Sequence, residues 1–172
     1  MFDKEYSFKG THAERVIKLT AKFDDKNQLF NRNLDVYIMA PIVGFLYQRK
    51  SEANTGETTK IFTQQLTGAY DDLLFNYRLI MLLDKNNEPS MDERVNKAFR
   101  YYGSEKARND EELYEQYVRG GVDQLYEKLI EPSRTLEDYM KNLYDFMEEI
   151  DERYNQEISA DRIKELCALA KK

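Results

Sequence analysis

Leu34-Asp-Val-Tyr-Ile-Met-Ala-Pro-Ile-Val-Gly-Phe-Leu-Tyr47 is the longest nearly uncharged run in the chain, and Asp35 is its one interruption. A segment apolar on every side has to be covered on every side, so this run reads as the central element of a core. Its length favours a helix. The Val36-Tyr37-Ile38 step favours strand locally and leaves a buried strand over 35–40 as the alternative. Few other stretches read as a partner strand. Pro41 lies inside the run, where a proline removes one hydrogen bond and costs a helix about 3 kcal/mol. A kink or a restart is therefore expected there. Asn33 is placed to cap the helix, and Asp35, two residues on, to satisfy its first amides.

Outward from this element the apolar spacing is helical almost everywhere. Residues 1–10 read as a loosely ordered start. Thr11 then caps a helix over about 12–23, with Val16, Ile17, Leu19 and Phe23 recurring at helical spacing. Ser51 to Thr59 is a polar surface loop. Ile61, Phe62 and Leu66 belong to a short helix or an extended piece. Tyr70 to Leu83 is a second strongly apolar helix. Ser90 caps the next, with Glu93 at the capping-box position, and Gly103 stops it. A long helix from about Asn109 to Ile130 runs through Gly120-Gly121. Two interior glycines cost a helix about 2 kcal/mol relative to alanine, so packing or function must justify them. Pro132 ends that helix, and Thr135 with Asp138 caps another to about Tyr154. Ser159 caps a last amphipathic helix carrying Ile163, Leu166, Cys167 and Ala170 on one face. The pattern predicts an all-α, bundle-like domain of six to eight helices over 1–157, followed by a C-terminal amphipathic helix over 158–172.

Composition narrows the function classes. Aromatic residues are 13% of the 172, which argues against disorder. The central run is too short to span a bilayer, which needs about 20 apolar residues. The first residues, Met-Phe-Asp-Lys-Glu-Tyr, lack the apolar region of a secretion signal, and the single cysteine suits a reducing cytoplasm. The expected setting is therefore cytoplasmic, away from membranes. The net charge of −6 is uneven: residues 109–157 hold 5 basic and 15 acidic residues, whereas 1–108 hold 17 and 15. An acidic balance disfavours non-specific DNA binding, which rests on cations neutralising phosphates.

The residue chemistry supplies no catalytic set. His12 is the only histidine and reads as a surface or capping residue; Cys167 reads as a packing residue. The two lie too far apart in sequence to suggest a metal cluster, and no cofactor motif appears, neither Walker loop nor Gly-x-Gly-x-x-Gly. Asp35 is the one acid set in an apolar run, and an enzymatic reading needs it buried in a pocket. For nucleic acid the candidate set is Arg94, Lys97, Arg100, Tyr101, Tyr102, Lys106 and Arg108. Cations with interleaved aromatics can hold phosphate and stack on bases, and Arg94, Lys97 and Arg100 could share one helix stripe. The alternative is that Phe99 and Tyr102 pack inside while the cations pair with the acidic helices that follow.

Two stretches carry a family resemblance. One is Phe30 with Asp35-Val-Tyr-Ile-Met-Ala-Pro-Ile-Val-Gly44-Phe45 and Arg49; the other is Tyr117-Val-Arg-Gly-Gly-Val122 with Leu125. Together they resemble the small helical proteins found with bacterial DNA phosphorothioation (Dnd) gene clusters and related defence islands. Pro41 and Arg119 depart from that pattern. The resemblance implies an accessory role beside DNA-modifying or DNA-restricting machinery, with no catalytic residues to carry over. The resulting expectation is a non-enzymatic adaptor that meets protein partners, or further copies of itself, in a multi-subunit system. Gly120 and Gly121 would admit a close backbone approach, and Ile163, Leu166 and Cys167 would face a partner. Direct nucleic-acid binding through residues 94–108 is the competing expectation.

Overall fold

The computed structural model describes residues 1–157. The expected last helix, with Ile163, Leu166 and Cys167, lies outside the described residues. Among the described residues the chain forms β1 (Tyr6–Lys9), α1 (Thr11–Leu19), α2 (Asn33–Leu46), β2 (Thr58–Ile61), α3 (Thr63–Gly68), α4 (Tyr70–Leu83), α5 (Met91–Val95), α6 (Arg108–Leu129) and α7 (Leu136–Glu157). A π-helical turn, Asn96–Arg100, continues α5, and a 3₁₀ turn, Glu105–Ala107, leads into α6.

The central run is the helix α2, unbroken through Pro41, so neither the restart nor the buried strand occurs. Proline leaves the preceding turn one amide donor short. In that turn the Ile38 carbonyl accepts from the Asn76 side chain of α4 at 2.8 Å. Arg32, not Asn33, is the N-cap. Asp35 accepts from the Arg32 amide at 3.0 Å and from its guanidinium at 2.8 Å. Asp35 therefore closes the helix end, which removes the motive for an acid in a pocket. Asn33 instead donates to Thr59 Oγ1 at 2.8 Å and ties α2 to β2.

The fold is mostly helical, yet it is not purely α. β1 and β2 pair antiparallel, with Tyr6 opposite Ile61 and Phe8 opposite Thr59. Phe8 and Ile61 are fully buried, so this small ribbon carries core residues where a loose start and a polar loop were expected. Gly10 (φ +55°) turns β1 into α1, and its amide donates to the Glu57 carbonyl at 2.8 Å. α1 begins at Thr11 and ends at Leu19, four residues earlier than its apolar pattern suggests.

α2 lies along α6 at backbone range. A Cβ on Gly44 would overlap the Tyr117 carbonyl, one on Gly120 the Arg49 carbonyl, and one on Gly121 the Ala40 carbonyl. The interior glycines of α6 are thus explained by packing inside this chain. Gly121 is buried against α2 and Gly120 against the Arg49-Lys50 segment that follows it, which corrects the expectation that they admit a docked partner. Around this seam sit Tyr37, Tyr77, Tyr114, Tyr117 and Phe2, all buried. Phe2 meets Tyr37, Tyr70 and Tyr114 edge-on at 5.9–6.5 Å, a favoured geometry for aromatic rings.

Candidate functional site

The polar face of α6 lines a cleft of about 470 Å³, closed on its other sides by β1, the start of α1 and the loop at Ala53-Asn54. Glu115 stands at its base. Its Oε1 accepts from the Tyr37 hydroxyl at 2.8 Å and its Oε2 is out of solvent contact. Burial pushes the carboxyl up to about 7, against the opposing hydrogen bonds of Tyr6 and Tyr37 and the nearby charge of Arg119. The same enclosure drives the Tyr37 and Tyr114 hydroxyls well above their usual range.

Two turns further along α6 sits Asp123. His12 Nε2 lies 3.2 Å from its Oδ1, Ser51 Oγ donates to its Oδ2 at 2.6 Å, and Arg15 pairs with it directly. Burial opposes its charge, but hydrogen bonds from His12 and Ser51 and the charge of Arg15 outweigh it and hold the carboxyl at about 2. His12 is buried, which corrects its reading as a surface residue. Arg119, between the two acids, donates to the Ser51 carbonyl at 2.8 Å and pairs with Glu112.

A carboxyl poised near neutrality beside a His–Asp pair has acid–base capability. The bonding says how it is used. Asp123 holds α1 and the Ser51 loop to α6, Arg119 holds the same loop, and Glu115 holds α2. No hydroxyl or thiol in the cleft is hydrogen-bonded to His12 as a nucleophile to its base. Among the described residues no group of three or more His, Cys, Asp or Glu side chains could hold a metal ion.

The basic stretch does not form one face. Arg94 is buried and donates to the Glu88 and Pro89 carbonyls at 2.9 and 3.0 Å. Lys97 pairs with Asp110 at 3.1 Å. Tyr102 packs on Tyr77 at 5.1 Å between centroids. Tyr101 donates to Glu93 at 3.3 Å under the Lys106 ammonium. Only Arg100, Lys106 and Arg108 of the set are exposed cations. The proposed Arg94–Lys97–Arg100 stripe fails because Arg94 turns back onto the Glu88-Pro89 turn before α5 and Lys97 reaches across to Asp110 of α6. Phe99 is exposed rather than packed inside, and it faces outward at the π-turn.

Apolar surface is what the described residues leave uncovered. Phe75, Leu79 and Leu82 on the outer side of α4 join Phe99 to form a groove of about 380 Å³, with Arg78 over the Phe99 ring at 5.1 Å. On α7, Leu136, Met140, Tyr144 and Met147 are 46–62% exposed. Neither face was singled out in sequence, where α4 reads as a strongly apolar helix and α7 as a capped helix in an acidic stretch. The available signal was an apolar sector wider than one packed face needs.

No protein-family model matches the chain, and neither a curated protein nor a solved structure matches it. The likeness to phosphorothioation-cluster proteins therefore stands on its two sequence motifs alone. Among the described residues no helix is long and apolar enough to cross a membrane.

Proposed function

We propose that this chain is a non-enzymatic adaptor that acts in the cytoplasm through protein–protein contacts, in the setting its motifs suggest, a bacterial DNA-modification or defence system. The observation that carries the reading is the uncovered apolar surface on two different helices, the α4 groove and the α7 stripe. Contiguous apolar surface of this kind marks interaction sites, and an adaptor needs more than one. The polar cleft supports the same reading, since Glu115, Arg119 and the His12–Asp123 pair join α2, the Ser51 loop and α1 to α6.

Nucleic-acid binding is the weaker alternative, because Arg94 and Lys97 are spent on partners within the chain. The test is co-purification, from the native host, with subunits of DNA-modifying or DNA-restricting machinery. A Phe75→Asp, Leu79→Asp variant with unchanged circular dichroism should lose a subunit that the wild type retains. A chain that purifies alone, and that shifts a DNA duplex at 50 mM salt but not at 200 mM, overturns the reading.

A further inference from the structure

At 3.6 residues per turn, Tyr139, Leu143, Phe146 and Ile150 of α7 fall within about 60° of arc, and Leu136, Met140, Tyr144 and Met147 within about 80° directly beside them. The helix thus has an apolar sector about 160° wide, more than the 100° stripe of an ordinary surface helix. The body of the molecule covers only the first half. Tyr139 stacks on Phe23 at 4.8 Å and Phe146 on Tyr47 at 6.4 Å, and Leu143 and Ile150 pack on the core. The second half faces solvent, with Tyr144 and Met147 each 62% exposed.

The edge of that exposed half is acidic. Continuing around the helix past Leu136 and Tyr144 come Glu137, Glu148, Glu152 and Asp145, with Lys141 the one cation among them. All five are exposed.

We propose that the stripe Leu136–Met140–Tyr144–Met147 docks an amphipathic helix of a partner protein whose apolar face is bordered by lysine and arginine. The apolar side chains provide the contact, and the carboxylate edge sets the orientation and rejects acidic helices. A second copy of this chain is the wrong occupant, because it would bring the same acidic edge against this one. The stripe spans 12 residues, about 16 Å from first to last Cα, so the partner helix needs about three turns. Four half-exposed side chains offer on the order of 400 Å², half of a standard interface on one partner, the size class of transient contacts. The inference deepens the adaptor reading by naming the chemistry of one partner.

The test uses the full chain and two fluorescein-labelled 18-residue helical peptides with the same leucine face, one bordered by lysine and the other by glutamate. Fluorescence anisotropy should show the Leu/Lys peptide binding at least tenfold more tightly. Met140→Glu with Met147→Glu should remove at least tenfold of that affinity, and Glu137→Lys with Glu148→Lys should reverse the preference. Asp71→Lys with Asp72→Lys, an equal charge change on α4, should leave binding within twofold. Binding insensitive to the methionine changes, or equally sensitive to the α4 change, overturns the proposal as mere charge attraction. A dimer in sedimentation that Met140→Glu dissolves assigns the stripe to a second copy and overturns it. So does a synthetic peptide of residues 158–172 that binds more tightly than Leu/Lys, which would assign it to this chain's own C-terminus. Failure with the peptides while native partners still co-purify defeats this inference alone; the converse defeats the adaptor reading.

Discussion

The seam between α2 and α6 and the outer half of α7 are opposite solutions for an apolar helix. At the seam, Gly44 and Gly121 let α2 and α6 meet backbone to backbone and Gly120 admits the Arg49-Lys50 segment just past α2, so that of the large apolar side chains of α2 only Met39 and Leu46 stay exposed. On α7, an apolar sector is half used and half open to water. Apolar content therefore does not mark the core of this protein. What marks it is the size of the residues at the contact, because only small ones bring backbones close enough to exclude everything else.

The sharpest way to break the comparison is to put a side chain into the seam. Gly121→Val would drive methyl groups into the Ala40 carbonyl, and neither helix backbone can give way cheaply. A loss of about 4 kcal/mol or more, or no folded protein, is expected in urea unfolding. Next comes the link that holds α1 to the seam. Asp123→Ala strands Arg15 and the buried His12 without their shared acceptor. About 3 kcal/mol of stability should go, with α1 amides losing hydrogen-exchange protection before those of α2.

Glu115 offers a pH handle on the same region. Its carboxyl sits at about 7 in the folded chain against 4.5 unfolded, so between those values the native state keeps a proton that the unfolded chain has released. Stability should therefore fall as pH rises from 4.5 towards 7, by about 2–3 kcal/mol in all. Glu115→Gln should remove that slope, and a slope that survives would remove Glu115 as its source. Asp123 works in the opposite sense: it stabilises above its unfolded value of 3.8, and that support is lost as pH falls towards about 2. The smallest effect belongs to α7. Met140→Glu changes an exposed position and should alter stability by about 0.5 kcal/mol or less, even while it weakens helix docking. A large loss there would mean that the stripe is core after all.

Much of the helical frame could be read from the sequence, because α2, α4, α6 and α7 are long and their apolar spacing is periodic. Gly120-Gly121 announced a need for close packing, since no helix keeps two interior glycines without cause. The sequence could not say what would approach them. The ribbon was illegible for a different reason. Tyr6–Lys9 and Thr58–Ile61 are four residues each, and their pairing depends on contacts some fifty residues apart. His12 was misread because its partner, Asp123, lies 111 residues away on α6, and only the packing of α1 brings them together. Glu115 carried no local sign of its burial. In residues 94–108 a run of cations says nothing about direction: Lys97 pairs with acidic α6, as the alternative to nucleic-acid binding expects, and Arg94 turns inward.

The glycine seam also bears on ancestry. Surface charges and the exposed halves of α4 and α7 can drift freely while the fold survives, so overall likeness to a distant relative can fade beyond recognition. Gly44 and the Gly120-Gly121 pair have no such latitude, because any side chain there runs into the backbone of the facing helix or of the Arg49-Lys50 segment. A relative too remote to recognise by overall similarity should still show one glycine late in an apolar helix and a glycine pair deep inside a later, longer one. That three-residue signature is the fold's most durable record of descent.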